Sequence, residues 1–162
     1  MSEHKWVLNA SPLILLGNVG RIGLLETLCT EMVVPAAVVA EVRAGPHRDA
    51  SQDWLESRTP ACVRHVEQVD PVVEAWDLGA GESEVLTWAR QNPEYEAILD
   101  DRAARNCALT LDIPVRGTLG VILLAKREGV IDQVQPIFQQ LQDSGMRVAP
   151  NVLDMALRLA GE

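Results

Sequence analysis

The sequence predicts a three-layer α/β/α domain built on a central parallel sheet, and three observations carry that prediction. Short apolar runs alternate with helical patterns along the whole chain, which implies parallel strands joined by crossover helices. Between Leu78 and Leu123 an extended run stops at the adjacent acids Asp100 and Asp101. A helical pattern begins there at once, as at the carboxyl edge of an open sheet. The 162 residues are 48% hydrophobic and hold no repeat or low-complexity tract, so one domain over 1–162 is expected to bury a sizeable core.

Taken in order, Lys5 to Leu8 reads as the first strand, closed by Asn9. Ser11 then caps a helix with Pro12 at its first helical position. Leu13 to Leu16 are apolar, Gly17 to Gly20 break the run, and Ile22 to Leu28 forms a second short helix. Met32 to Val34 is the next strand, ended by Pro35, and Ala36 to Ala44 is helical. Gly45 to Gln52 is polar and turn-rich and reads as a surface loop. Trp54 to Arg58 completes a short helix, and Cys62 to Val66 is an irregular or edge strand. Asp70 to Trp76 leads into a helix that ends before Asn92 and Pro93. Ala97 to Leu99 is extended, the run from Arg102 to Leu111 is helical, and Ile113 to Val115 is a short strand. Thr118 caps the apolar helix Leu119 to Lys126, and Ile131 to Ser144 is an amphipathic helix stopped by Gly145. Met146 to Val148 is at most a short strand, and Asn151 to Leu159 makes the last helix.

Charge narrows the function. Lys plus Arg is 14 and Asp plus Glu is 23, a net −9. An acidic surface argues against loose, non-specific nucleic-acid binding, because phosphate contacts need cations. It leaves room for a nucleic-acid enzyme whose metal ions bring the positive charge. Cys29, Cys62 and Cys107 lie far apart among apolar neighbours, which points to a reducing, cytoplasmic setting. His4, His47 and His65 are scattered, and no zinc pattern can be built from them. With no 18-residue apolar run and no signal-like N-terminal core, no membrane contact is expected. Trp54, Trp76 and Trp88 read as core or interface anchors rather than base-stacking platforms.

Singly, each acid has an ordinary explanation as a helix cap, a first-turn carboxylate or a solvated side chain. Their faces set three of them apart, Glu41, Glu82 and Asp101. Stepping back from Val85, Leu86 and Ala89 by three, four and seven lands on Glu82, at the mouth of a buried stripe. Glu84 lies about 200° further round at ~100° per residue, so it points elsewhere. Stepping back from Ala104, Cys107 and Ala108 gives Asp101 or Asp100. Glu41 prolongs the stripe of Ala37 and Val38. Together with the amide of Asn9, these acids converge on one crevice. Oxygen donors without His or Cys suit Mg²⁺ or Mn²⁺, and such ions serve phosphodiester hydrolysis.

The chain resembles PIN-domain proteins over nearly all its length. The resemblance rests on LNASPLI, VPAAVVAEV around Glu41, GAGESEVLTWA around Glu82, LDDRAAR and GTLGVILLAKREG. The last three are similar to a prokaryotic, toxin-like subgroup expected to bind nucleic acid. The resemblance implies a metal-dependent, single-strand-directed endoribonuclease, often the toxin of a toxin–antitoxin pair. It puts the family's four acidic positions on Asn9, Glu41, Glu82 and Asp101, with Asp100 a further metal ligand and Glu41, Glu82 and Asp101 catalytic. Ser11, Arg102 and Thr118 complete the expected site as substrate-binding residues. The expected partners are single-stranded RNA, a small antitoxin and a second copy in a homodimer. Asn9 departs from the family, which carries aspartate there, and an amide offers an oxygen without charge. A second expectation follows, a weakened PIN fold serving as a nucleic-acid- or protein-binding module. A phospho-receiver domain ranks last, because its paired acids belong after the first strand and here they come late.

Overall fold

The computed structural model describes residues 3–46 and 48–162, so His47 lies outside the described residues. Five strands form one all-parallel sheet: β1 (His4–Leu8), β2 (Cys29–Pro35), β3 (Val63–Arg64), β4 (Glu96–Ile98) and β5 (Val115–Arg116). Their order is β3-β2-β1-β4-β5. β1 takes the centre because Trp6, Val7 and Leu8 are all fully buried, as a strand covered on both faces must be. Val7 sits opposite Val33 on one side and Ala97 on the other.

Helices cover both faces, and the expected three-layer α/β/α architecture stands. The first are α1 (Ala10–Asn18), α2 (Leu24–Leu28), α3 (Ala36–Arg43), α4 (Ala50–Arg58) and α5 (Pro71–Glu74). They are followed by α6 (Ala80–Gln91), α7 (Arg102–Thr110), α8 (Thr118–Arg127), α9 (Gln135–Asp143) and α10 (Pro150–Leu159). The helix α6 lies across β1, β2 and β4 and packs against α3, α5 and α7, while α1 packs against α4, α8 and α9. Val85, Leu86 and Ala89 form the buried face of α6, and Ala104, Cys107 and Ala108 that of α7, as their spacing predicts. On α9 the buried face is Ile137, Phe138 and Leu141, and truncating a phenylalanine in such a place costs about 3–5 kcal/mol.

The topology fixes where a site can form. The chain leaves β1 for β2 and β3 on one side, then returns to β4 and β5 on the other. Strand order reverses beside β1, and the crevice at such a reversal lies past the carboxyl ends of the strands. Asn9 directly follows β1, and Asp100 stands two residues beyond Ile98, the last residue of β4.

Several local expectations need correction. Helix α1 starts at Ala10, so Asn9 holds the cap position and Ser11 is already inside the first turn. The helix also runs through Gly17, where a Cβ would come within 3.0 Å of the Ser51 backbone nitrogen on α4. The stretch expected as a loop contains the start of α4. Asp49 and Gln52 close a capping box there, Gln52 N–H donating to Asp49 Oδ1 (3.0 Å) and Asp49 N–H to Gln52 Oε1 (3.2 Å). Gly117, not Thr118, is the cap residue of α8. Helix α9 starts later than expected, with Pro136 in its first turn, where a missing N–H costs nothing. Residues 146–148 form no strand.

Candidate active site

Asn9 stands at the bottom of the crevice, only 1% exposed. Its backbone N–H donates to Ile98 O (3.0 Å), tying the ends of β1 and β4 together. Its side chain does not cap α1; instead Nδ2 donates to Glu82 Oε1 at 3.3 Å. That leaves Asn9 Oδ1 buried without a donor among the described residues. A buried acceptor in that state costs about 1–3 kcal/mol, so the site calls for a donor or a cation.

Glu82 lies in the first turn of α6, where the helix dipole favours a carboxylate. Glu41 comes from α3, which packs against α6. A Cβ on Gly81 would stand 3.1 Å from Asn9 Oδ1, 3.4 Å from Val38 Cγ2 and 3.5 Å from Glu41 Oε1. The amide and the Glu41 carboxylate therefore meet over a glycine that leaves them room. Although Glu41 is exposed as a whole, its carboxyl is pushed above the ordinary range, first by lost hydration and then by the Glu82 charge. Asn9, Glu41 and Glu82 thus form one group, as their faces predicted.

The aspartate pair divides differently from expectation. Asp101 caps its own helix, accepting from Ala104 N–H (2.9 Å), and is exposed. This is the cap role that an aspartate before a helix ordinarily takes, and one carboxylate oxygen meets an open N–H group of α7. Asp100 is half-buried and bridges two other helices. It accepts Thr118 N–H at Oδ1 (2.8 Å), Thr118 Oγ1–H at Oδ2 (2.6 Å) and Ser11 Oγ–H at Oδ2 (3.3 Å). Ser11 and Thr118, both expected to cap helices, are thereby drawn together around Asp100. Glu84 is engaged at the start of α3, accepting Ala37 N–H (3.0 Å). Among the described residues no three of the carboxylates, histidines and cysteines close into a chelate. The oxygen groups are two: Asn9–Glu41–Glu82 and Ser11–Asp100–Thr118.

Beyond Asp100 opens a groove of about 1090 Å³ between α7, α8 and α10. Arg102 lines it, together with Arg105, Arg116 and Arg147, which the sequence reading did not pick out. Arg102, Arg105, Asn106 and Leu109 fall at i, i+3, i+4 and i+7, so this face of α7 was open to detection opposite the buried stripe. No comparable signal marks Arg147. Trp54 and Trp88 pack within the protein, and Trp88 Nε1 has no hydrogen-bond partner among the described residues. Trp54 donates to Glu26 beneath Arg58, and Trp88 packs edge-on against Tyr95.

A PIN-domain family model matches residues 5–162. The chain belongs to the PIN-domain family. No curated protein matches it. The PIN domain is a nuclease-type fold, suggests nucleic-acid binding and is typically dependent on a divalent metal. No helix among the described residues is long and apolar enough to cross a membrane. The donor set fits a hard divalent cation: an unpartnered buried amide oxygen, a carboxylate bonded to the same amide, and a second carboxylate destabilised by lost hydration and then by its neighbour's charge.

Proposed function

We propose that the chain is a metal-dependent endoribonuclease acting on single-stranded RNA, with Mg²⁺ or Mn²⁺ as cofactor. The observation that carries this reading is the orphaned Asn9 Oδ1 facing Glu41 beside Glu82 at the sheet's reversal point. In the proposal Asn9, Glu41 and Glu82 hold the ion, and Glu41 and Glu82 are its essential charges. When bound, the ion supplies positive charge to the phosphodiester and Lewis acidity to the attacking water. Asp100 serves as the inner acid of the opposite wall, and Asp101 adds negative charge at the rim. Arg102 orients the substrate beside Asp100, while Ser11 and the fully buried Thr118, expected as substrate-binding residues, act on it through the Asp100 carboxylate they hold. Positioning of this kind, with reacting groups held in place, is where most of the rate gain in such reactions arises.

The same proposal covers a single domain over 1–162, a cytoplasmic setting and a role as the toxin of a toxin–antitoxin pair. Cys29, Cys62 and Cys107 are free and buried, which suits a reducing compartment. A complex with a small basic antitoxin would draw on the acidic surface, and a homodimer would draw on apolar anchors such as Trp76. Trp54 is buried, so it is not the surface anchor of that partner. One observation favours the second reading, a binding module: the neutral amide at Asn9 leaves the ion one charge short. The test is cleavage of an unstructured RNA with Mn²⁺. Cutting by wild type that is lost in Glu82→Gln supports the nuclease, and binding without cutting supports the module. A small antitoxin-like reading frame beside the gene supports the toxin role, and light scattering that shows only monomer counts against the homodimer.

A further inference from the structure

We infer that the groove between α7, α8 and α10 seats the phosphodiester backbone of the RNA strand leading away from the acids, held by Arg102, Arg105 and Arg147. The inference rests on the nuclease reading for the identity of the strand. It rests on charge for the groove itself. The chain carries 23 acidic and 14 basic residues. Among the described residues Arg48, Arg58, Arg90 and Arg116 each find a carboxylate, while Arg21, Arg43, Arg64, Arg127 and Arg158 have none but stand outside this groove. Among the described residues Arg102, Arg105 and Arg147 have no carboxylate partner, and all three line this one groove. The acids lining it are Glu96, which is paired with Arg116 (2.9 Å), and Asp100, which is held by Thr118 and Ser11. A net-negative protein thus leaves three exposed guanidinium forks unmatched on one concave surface. A polyanion is the complementary ligand.

Gly117 joins the groove to the acids. A Cβ there would stand 2.6 Å from Arg105 Nη1 and 3.0 Å from Asp100 Oδ1. The guanidinium and the carboxylate flank the same bare backbone without pairing, so the Arg105 fork stays free for a phosphate beside Asp100. Arg102 and Arg147 extend that cationic line. No Trp, Tyr, Phe or His lines the groove; its apolar part is aliphatic, with Leu109, Met155 and Leu159 exposed. Without an aromatic platform to stack bases, binding is dominated by phosphates, and sequence preference is weak.

The experiment measures binding of a labelled single-stranded polyuridylate to full-length Glu82→Gln protein in chelator, by anisotropy across a salt series. Each lost phosphate contact flattens the log–log salt slope by about 0.7. Arg105→Ala and Arg147→Ala are each expected to show that flattening and to weaken binding about tenfold. Arg105→Lys should keep the slope and recover only part of the affinity, since a point charge replaces a fork. Arg21→Ala, outside the groove, should change neither. Melting curves confirm folding, and Arg105→Lys supplies a folded comparison if an alanine variant does not fold. Unchanged slopes and affinities in both alanine variants overturn the inference even if wild type cuts RNA. Displacement by polyglutamate of equal charge also overturns it, because the groove would then accept any polyanion, an acidic protein segment included. Arginine-dependent binding with no cleavage by wild type leaves the groove standing and removes the nuclease.

Discussion

Restoring the missing charge, Asn9→Asp, probes the site most sharply. The substitution is nearly isosteric, so packing around the buried side chain is kept. What changes is polarity: the Asn9 Nδ2 donation to Glu82 Oε1 (3.3 Å) disappears, and a carboxylate takes its place. A hydrogen bond to a charged group is worth about 1.5–3 kcal/mol. Two like charges 4 Å apart repel by about 4 kcal/mol at an effective dielectric of 20. Proton uptake and water penetration relieve part of that sum, leaving a predicted loss of about 3 kcal/mol in chelator at neutral pH. For a chain of this size that is a fall in Tm of about 6–12 °C. The carboxyl pKa values of the cluster rise in the folded state, so the folded protein binds more protons than the unfolded one. The variant should therefore be least impaired at low pH and lose stability as pH climbs through the raised values. Saturating Mn²⁺ should reverse the deficit and raise both metal affinity and RNA cleavage above wild type. The assay is calorimetric melting with chelator and with Mn²⁺, over a pH series. An Asn9→Asp protein as stable as wild type in chelator at neutral pH would refute the like-charge geometry around Asn9.

Three further outcomes follow from the same contacts. Glu41→Gln removes a carboxyl whose pKa is raised, whose ionisation opposes folding as pH rises above its ordinary value of 4.5; metal-free melting should become less pH-dependent in that range while Mn²⁺ binding is lost. Gly81→Ala gains up to about 1 kcal/mol of helix propensity but brings a methyl within 3.1 Å of Asn9 Oδ1; denaturant melts should show little net change, and titration calorimetry a weaker ion. Asp100→Asn and Asp101→Asn separate the two neighbours. Asn caps a helix about as well as Asp, so Asp101→Asn should cost well under about 1 kcal/mol. Asp100→Asn turns one of two accepting oxygens into a donor facing Thr118 or Ser11 and should cost about 1–3 kcal/mol. RNA cleavage should fall strongly only for Asp100, and the reverse ranking would return the inner role to Asp101.

The sheet and its helices were legible because buried stripes repeat at helical spacing and short apolar runs end at punctuation. Glu82 and Glu41 could be placed for the same reason: a helix face is a periodic object. Asp100 and Asp101 could not be told apart, since adjacent residues differ by one peptide and the winner is decided by distant donors, Thr118 and Ser11. Those two residues were misread as caps, because a hydroxyl near a helix start looks the same whether it bonds its own helix or a carboxylate across the crevice. The start of α4 was missed although Asp49 and Gln52 spell a capping box, since the surrounding glycine and proline read as loop. Arg147 reaches the groove from a stretch without periodicity, and only tertiary packing reveals it.

Titration of Mn²⁺ into wild type and Glu82→Gln, followed by calorimetry, tests the site most directly. Glu82 is the carboxylate bonded to the buried amide and the neighbour whose charge raises the Glu41 pKa. The account predicts saturable binding by wild type that weakens strongly in Glu82→Gln. Equal affinities in the two proteins, or no binding by wild type, would contradict it.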